Sequence, residues 1–314
     1  MRIVSADDIH KALSYRTLID ALAEAFRSDM VVPVRHHHTI PQDGADATLL
    51  LMPAWNQGEE RFIGCKIVTV FPDNVRAQRP SVYGQYLLLS GKSGEPLAMM
   101  DGRALTAWRT ACASALAARY LAREDASHLV MVGAGALAPH LIRAHASVRP
   151  IKRVSIWNRT KARAISLGFG VAVAGIEVDI AEDLEQTVGE ADIVCCATLA
   201  AEPLIKGAWL KKGTHLDLVG GFTPNMREAD DQAVKRARIF VDTRAGAAKE
   251  AGDIVVPLKK KIIDAKAIKG DLFDLVSGKV KGRTSDAQIT LFKSVGSAIE
   301  DLAAAMLVWK TLSA

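Results

Sequence analysis

Cysteine is scarce in this chain. Four cysteines in 314 residues, two of them adjacent (Cys195-Cys196), match neither a disulfide framework nor a zinc site. A reduced, cytoplasmic setting is the expectation. Long apolar runs are also missing: none approaches the roughly 18 residues of a membrane span. The N-terminus, MRIVSADDIHKAL, has no signal-peptide apolar region. No membrane partner is expected. Nor is there a large excess of charge. The net charge is +5 and dispersed, and the main basic run, Lys259-Lys260-Lys261, is short and flanked by apolar residues. That argues against a nucleic-acid partner and fits a small anionic substrate equally well. Internal repeats, low-complexity linkers, a Gly-x-Ser-x-Gly elbow and a phosphate-loop lysine motif are all absent. His36-His37-His38 invites a metal reading. Adjacent histidines in an extended segment point to opposite faces, however, and no ligand-spaced partner follows. The triplet is expected in a loop, with no metal bound.

What is present is a globular chain, 49% hydrophobic, long enough for one large or two medium domains. Its most informative stretch runs from Ser127 to Thr160. A strand, 128–132, ends in Gly133-Ala134-Gly135-Ala136-Leu137-Ala138; a helical pattern and a second strand, 153–157, follow. This is a βαβ unit around G-x-G-x-x-A, the turn that seats a dinucleotide pyrophosphate. Gly133 permits the tight turn, Gly135 lets backbone approach phosphate, and Ala138 keeps helix and strand close. The N–H groups from Ala136 and Leu137 onward, with the helix dipole, favour the anion. An NAD site wants an Asp or Glu at the tip of the second strand, for the ribose 2′-hydroxyl. The tip here is Asn158-Arg159-Thr160-Lys161. Arg159 is a natural fork for a 2′-phosphate, which Asn158 and Thr160 would also reach. The expected cofactor is NADPH (NADP+), with NADH at lower preference.

Alternation of short strands and helices from 128 onward predicts a doubly wound parallel sheet, with strands near 128–132, 153–157, 192–197, 214–219 and 238–242, and a short one around 176–178. Before it, Ser14 caps a helix with Leu18, Leu22, Ala25 and Phe26 on one face. Strands are expected at 48–54, 62–71, 83–89 and 96–100, then an Ala-rich helix at about 105–122. Residues 288–292 read as a strand. A last helix carries Val295, Ile299, Leu302, Ala303 and Met306 on one face. The expected architecture is α/β, a Rossmann-type domain (123–285) inserted in a second α+β domain (1–122 plus 286–314).

Four polar residues of that second domain, Arg35, Lys66, Asn74 and Arg109, fall in otherwise apolar surroundings. Lys66 is mid-strand, and Arg109 lies within a helix of small apolar residues. A cation in such a place is usually paired or functional. Cys195 and Cys196 end a buried strand and are expected in the core.

Together these residues resemble the ornithine cyclodeaminase/μ-crystallin family over nearly the whole chain. The resemblance rests on Arg35 before Leu51-Met52-Pro53, on the run Gly64-Cys65-Lys66 to Pro72-Asp73-Asn74, and on Leu105-Thr106-Ala107-Trp108-Arg109-Thr110. It continues in Gly133-Ala134-Gly135, Thr198, Val219-Gly220-Gly221 with Arg227-Glu228-Ala229-Asp230, and Phe292-Lys293-Ser294-Val295-Gly296. The resemblance implies a homodimer formed by the second domain. It implies that Arg35, Lys66 and Arg109 surround a substrate carboxylate, with Asn74, Gly221 and Phe222 beside it. It also implies that Thr110, Thr198, Val219 and Ser294 line the cofactor. One departure bears on the reaction. Cyclodeaminases place an Asp just after the Gly-Gly pair, and here the residue is Phe222. An aromatic ring cannot act as a base, so reduction of a cyclic imino acid is favoured over deamination. The competing readings are ornithine cyclodeaminase, a dehydrogenase of alanine or N-alkyl amino acids, and a non-catalytic NADPH-binding crystallin-like protein.

Overall fold

The computed structural model describes residues 1–171 and 175–313. The chain divides into two units, Met1–Arg109 with Ser297–Ala314, and Thr110–Gly296. An insertion was expected, but its edges fall at 109/110 and 296/297 instead of 122/123 and 285/286. The reasons are local. The second half of the Ala-rich helix bonds within the inserted unit, where Ser114 Oγ donates to Asp217 at 3.0 Å. The strand expected at 288–292 lies inside that unit's sheet.

The first unit begins with β1 (Arg2–Val4), α1 (Ala6–Ala12), α2 (Tyr15–Arg27) and β2 (Met30–Val31). It continues with β3 (His36–Ile40), β4 (Ala47–Asn56), β5 (Phe62–Val70), β6 (Val82–Ser90) and β7 (Pro96–Asp101). Then α3 (Gly102–Leu121) carries the chain across the boundary at Arg109. The sheet order is β1-β7-β6-β5-β4-β2, with β3 also on β4. β4, β5 and β6 alternate one residue in, one out. Met52, Ala54, Phe62, Lys66, Tyr86 and Leu88 are buried. Ser14 caps α2 by accepting from Thr17 N–H, and Leu18, Leu22 and Phe26 are fully buried as their spacing required. The His36–His38 triplet is strand, not loop: β3 pairs antiparallel with Ala47–Leu51 of β4, leaving all three rings exposed.

The second unit holds β8 (His128–Val132), α4 (Ala138–Val148), β9 (Arg153–Trp157), α5 (Lys161–Gly170) and β10 (Glu177–Ile180). Next come α6 (Leu184–Glu190), β11 (Ile193–Cys196), β12 (His215–Leu218), α7 (Asp231–Arg236), β13 (Arg238–Val241), α8 (Arg244–Glu250) and α9 (Gly252–Lys259). β14 (Ile268–Asp271), α10 (Leu272–Val276) and β15 (Thr290–Lys293) complete it. All eight strands are parallel, in the order β10-β9-β8-β11-β12-β15-β13-β14. This is the Rossmann-type sheet expected. Val130, Val132, Val194, Leu216, Leu218, Ile239 and Leu291 form its fully buried core, as central parallel strands require. The chain winds outward from β8 to β10, then returns to β11 on the other side of β8. Ligands of such sheets bind at that reversal, beyond the carboxyl ends of the strands.

The first unit is completed by α11 (Ala298–Ser313), which packs on α2, β4 and β5. It starts after Val295, whose N–H instead donates to Asp242. Among the described residues no helix is long and apolar enough to cross a membrane.

Candidate active site

Gly133 and Thr198 flank the reversal point, directly after β8 and β11. Gly133 has φ +104°, a conformation that suits glycine, and a Cβ there would meet Ala197 O at 2.6 Å. Its N–H donates to Trp157 O at 2.8 Å, tying the turn to β9. At Gly135 a Cβ would meet no protein atom within 4 Å, so the backbone faces open space. A groove of about 560 Å³ runs along this turn, lined by Ala134, Gly135, Pro139, Arg143 and Arg163. α4 begins at Ala138, with Leu137 at its N-cap making no side-chain cap bond. The peptide N–H groups there lack a side-chain acceptor of the kind that closes other helices here. These features fit a dinucleotide pyrophosphate.

At the tip of β9, Asn158 Oδ1 accepts from Ala134 N–H at 3.2 Å, and its Nδ2 donates to Thr160 O. Asn158 is therefore a brace of the glycine turn. Thr160 is the N-cap of α5 without a cap bond from its hydroxyl. Arg159 is exposed and lines a hollow of about 260 Å³ with Trp157, Ala164 and Ala181. The tip itself lacks a carboxylate, but Glu182, just past β10, lines the same hollow and is bound by Lys161 Nζ at 2.5 Å.

The turn after β12 is held from beneath. Thr198 N–H and Oγ1 both donate to Glu228 Oε1, at 2.7 and 2.8 Å. Lys293, fully buried, donates to Leu218 O at 3.0 Å and to Gly220 O, and lies 3.7 Å from Asp253 Oδ2. Burial pushes the Glu228 carboxyl up to about 7, against the pull of Lys293 and with added repulsion from Asp253. Gly221 has φ +58°, and a Cβ there would press on Asp253 at 2.6 Å. Val219, Thr110 and Ser294 are all buried. Phe222 is 45% exposed.

A larger cavity of about 780 Å³ in the same unit, rich in arginine, has its side chains otherwise engaged. Arg149 binds the carbonyls of Ala118, Arg119 and Ala122, and Arg283 those of Leu121, Gly213 and Gln288. Cys195 and Cys196 are buried, as expected. The Cys195 thiol donates to Asp217, which also binds His145 Nε2 at 3.0 Å.

In the first unit, two of the four expected polar residues are buried and brought together. Lys66 is 3% exposed and Arg109 6%. Both meet the same carboxylate: Lys66 Nζ lies 2.8 and 2.9 Å from the two oxygens of Asp301, and Arg109 Nε lies 3.0 Å from Asp301 Oδ1. Arg109 Nη1 also donates to Glu300 Oε2 at 2.6 Å. Burial and the neighbouring Arg109 charge lower Lys66 to about 8, against the opposing pull of Asp301 and Glu300. Burial raises Asp301, but Lys66, Arg109 and Arg35 outweigh it and leave the carboxyl below its ordinary value. Arg35 is part-buried and acts on the cluster through this field. Asn74 is part-buried too, and its Nδ2 closes its own loop by donating to Pro80 O. Glu300 and Asp301 were not anticipated from the sequence. The available signal was an acidic pair in the first turn of an otherwise apolar helix.

A phosphate-ready turn at the reversal point of a parallel sheet defines a dinucleotide-binding protein, and the first unit holds a buried cluster of two cations and two carboxylates. The profile of the ornithine cyclodeaminase/mu-crystallin family matches residues 1–314, and the chain belongs to that family. It is 36% identical to a Delta(1)-pyrroline-2-carboxylate reductase of Colwellia psychrerythraea, with all of both chains covered. The Thermococcus litoralis Delta(1)-pyrroline-2-carboxylate reductase, solved with NADH and L-proline, superposes with a TM-score of 0.93 at 33% identity, covering 100% of this chain and 98% of that one. An archaeal alanine dehydrogenase dimer with bound NAD superposes with a TM-score of 0.91 at 29% identity, covering 100% and 96%.

Proposed function

We propose that the protein is an oxidoreductase acting on C=N bonds, reducing the cyclic ketimines Δ1-pyrroline-2-carboxylate and Δ1-piperideine-2-carboxylate to L-proline and L-pipecolate. The observation that carries this reading is the buried pairing of Lys66 and Arg109, two cations that an apolar core does not hold without a use. Arg109, Lys66 and Arg35 bind the α-carboxylate, and Arg109 fixes its orientation. Gly133, Gly135, Ala136 and Leu137 hold the pyrophosphate. Thr110, Thr198, Val219 and Ser294 line the cofactor, the last two near the nicotinamide, and Asn74, Gly221 and Phe222 complete the substrate contacts. The cofactor supplies a hydride for the imine carbon. Lys66 gives a proton to the imine nitrogen, since the iminium form accepts hydride more readily. The full-length reductase relatives support this assignment. Phe222 disfavours deamination, because it offers no base for water.

NADPH is the preferred cofactor in this reading and NADH the weaker one. Exposed Arg159 supports the preference. Glu182, occupied by Lys161, supports residual use of NADH. The test is oxidation of NADPH and of NADH with each imine, repeated with Arg159→Ala. The NADPH preference should fall about tenfold or more in the variant; an unchanged ratio would remove Arg159 from the assignment. No turnover with either imine would overturn the reductase reading. Likeness to the alanine dehydrogenase favours a second reading, amino-acid dehydrogenation. It predicts turnover with pyruvate plus ammonia or methylamine.

A further inference from the structure

α11 is an apolar helix with a buried acidic pair. Glu300 and Asp301 have no exposed surface, although first-turn carboxylates need only touch water to serve the helix dipole. Burying two carboxylates is costly unless each is paired and hydrogen-bonded. Both are paired, and with the two cations that the proposed reaction uses. Asp301 holds Lys66 of β5 and Arg109 of α3 at once, and Glu300 takes the Nη1 of Arg109. The other titratable groups facing the pair are few. Tyr86 on β6, directly across from Lys66, is fully buried. Burial and the Asp301 charge hold its phenol well above its ordinary range, so it stays neutral. Cys65 on β5 is part-buried, and burial raises its thiol. Arg35 contributes a further positive charge.

We propose that Asp301 and Glu300 are positioning residues of the imine-reducing site: Asp301 clamps Lys66 and Arg109 in one geometry and keeps Lys66 an ammonium able to donate its proton, while Glu300 aims Arg109 at the substrate carboxylate. The proposal rests on the reductase reading above. In the step it serves, the Lys66 N–H bond breaks and an N–H bond forms at the imine nitrogen. A bound dihydronicotinamide would supply the hydride that reduces the imine carbon and would itself be oxidised. Lys66, left neutral, regains its proton from water. Without the negative charge of Asp301, Lys66 would face Arg109 with less compensation and would lose its proton at lower pH.

The test is a titration of Lys66 in the unliganded protein by NMR of 13C-labelled lysine, with Lys66→Met assigning the resonance. In Asp301→Asn the Lys66 midpoint should fall by about one pH unit or more, and the alkaline limb of kcat/KM should move down with it. Asp301→Glu should restore part of the shift. An unmoved midpoint in a folded Asp301→Asn protein would overturn the proposal, as would an equal loss of activity at every pH. If Asp301→Asn does not fold, Glu300→Gln decides. It should raise KM for the imine about tenfold with kcat little changed, because one anchor of Arg109 is weakened; an unchanged KM overturns the assignment. Since the titration needs no substrate, a midpoint that shifts in a protein inert toward imines would reject the reductase reading alone.

Discussion

Arg109 commits its Nε and Nη1 to two different carboxylates, and this geometry suits a guanidinium but not an ammonium. Arg109→Lys should therefore raise KM for the imine by about 10²-fold while the protein stays folded, since a point charge cannot reproduce the fork. A wild-type KM in this variant would detach Arg109 from substrate binding. In the proposed reaction Lys66, as the proton donor, sets the pH dependence. Its folded-state value, about 8, lies below the ordinary 10.5, so the ammonium that donates the proton is depleted as pH rises through 8. The kcat/KM profile should fall on the alkaline side from about that pH, and a profile flat to pH 10 would exclude Lys66 as the donor. Both cations were legible in the sequence, because a charge inside an apolar strand or helix stands out. Glu300 and Asp301 were not. They lie between Ile299 and Leu302, and the apolar stripe of α11 drew the reading past them.

Secondary elements were legible wherever their backbone and their periodicity agreed. The β8–turn–α4 segment is one such case: its first glycine, Gly133, is demanded by φ and by contact with Ala197. Gly133→Ala should weaken cofactor binding about tenfold or more and lower the melting temperature, because both a strained φ and a clash are introduced. Intact cofactor affinity would show that the turn relaxes without cost. β3 was missed for a physical reason. Its backbone hydrogen bonds to β4 define the strand, while its three exposed histidines give no apolar alternation to read. β15 was assigned to the wrong unit because strand neighbours in a parallel sheet are set by crossovers; residues 290–293 insert between strands separated from them by tens of residues. The C-terminal end of α3 had no sequence signal either. Arg149, just after α4, binds the carbonyls of Ala118 and Arg119 in the last turn of α3 and of Ala122 just past it. Arg149→Ala removes the guanidinium donor from these carbonyls, of which Ala118 O keeps the Ala122 N–H, and should cost about 2 kcal/mol in denaturant unfolding. A loss below a few tenths of a kcal/mol would show that water replaces the guanidinium.

At the scale of the whole molecule, the two-unit insertion was legible in outline because strand periodicity changes character near residue 128. Its edges were not, since α3 crosses one boundary without a break in helical pattern. One whole-molecule property follows from the outer face of the first sheet. Cross-strand register aligns Leu51 with Ile67, Trp55 with Ile63, and Ile63 with Leu89. Ile63 and Ile67 remain well exposed, as does Tyr83 of β6 on the same face. A one-sided antiparallel sheet in water normally alternates apolar-in with polar-out. Here the outward set is largely apolar, with Gln85 across from Ile67 and Thr69 across from Tyr83, and exposed apolar patches mark association surfaces. We propose a second copy of the chain as its partner, because pairing through one shared face closes with two-fold symmetry. Light scattering behind size exclusion should therefore give twice the 33.7 kDa of one chain. Ile67→Lys puts a charge in the patch on the face opposite Lys66 and should shift the protein toward 33.7 kDa without loss of fold by circular dichroism. A wild-type protein already monomeric at micromolar concentration would leave this face without that partner.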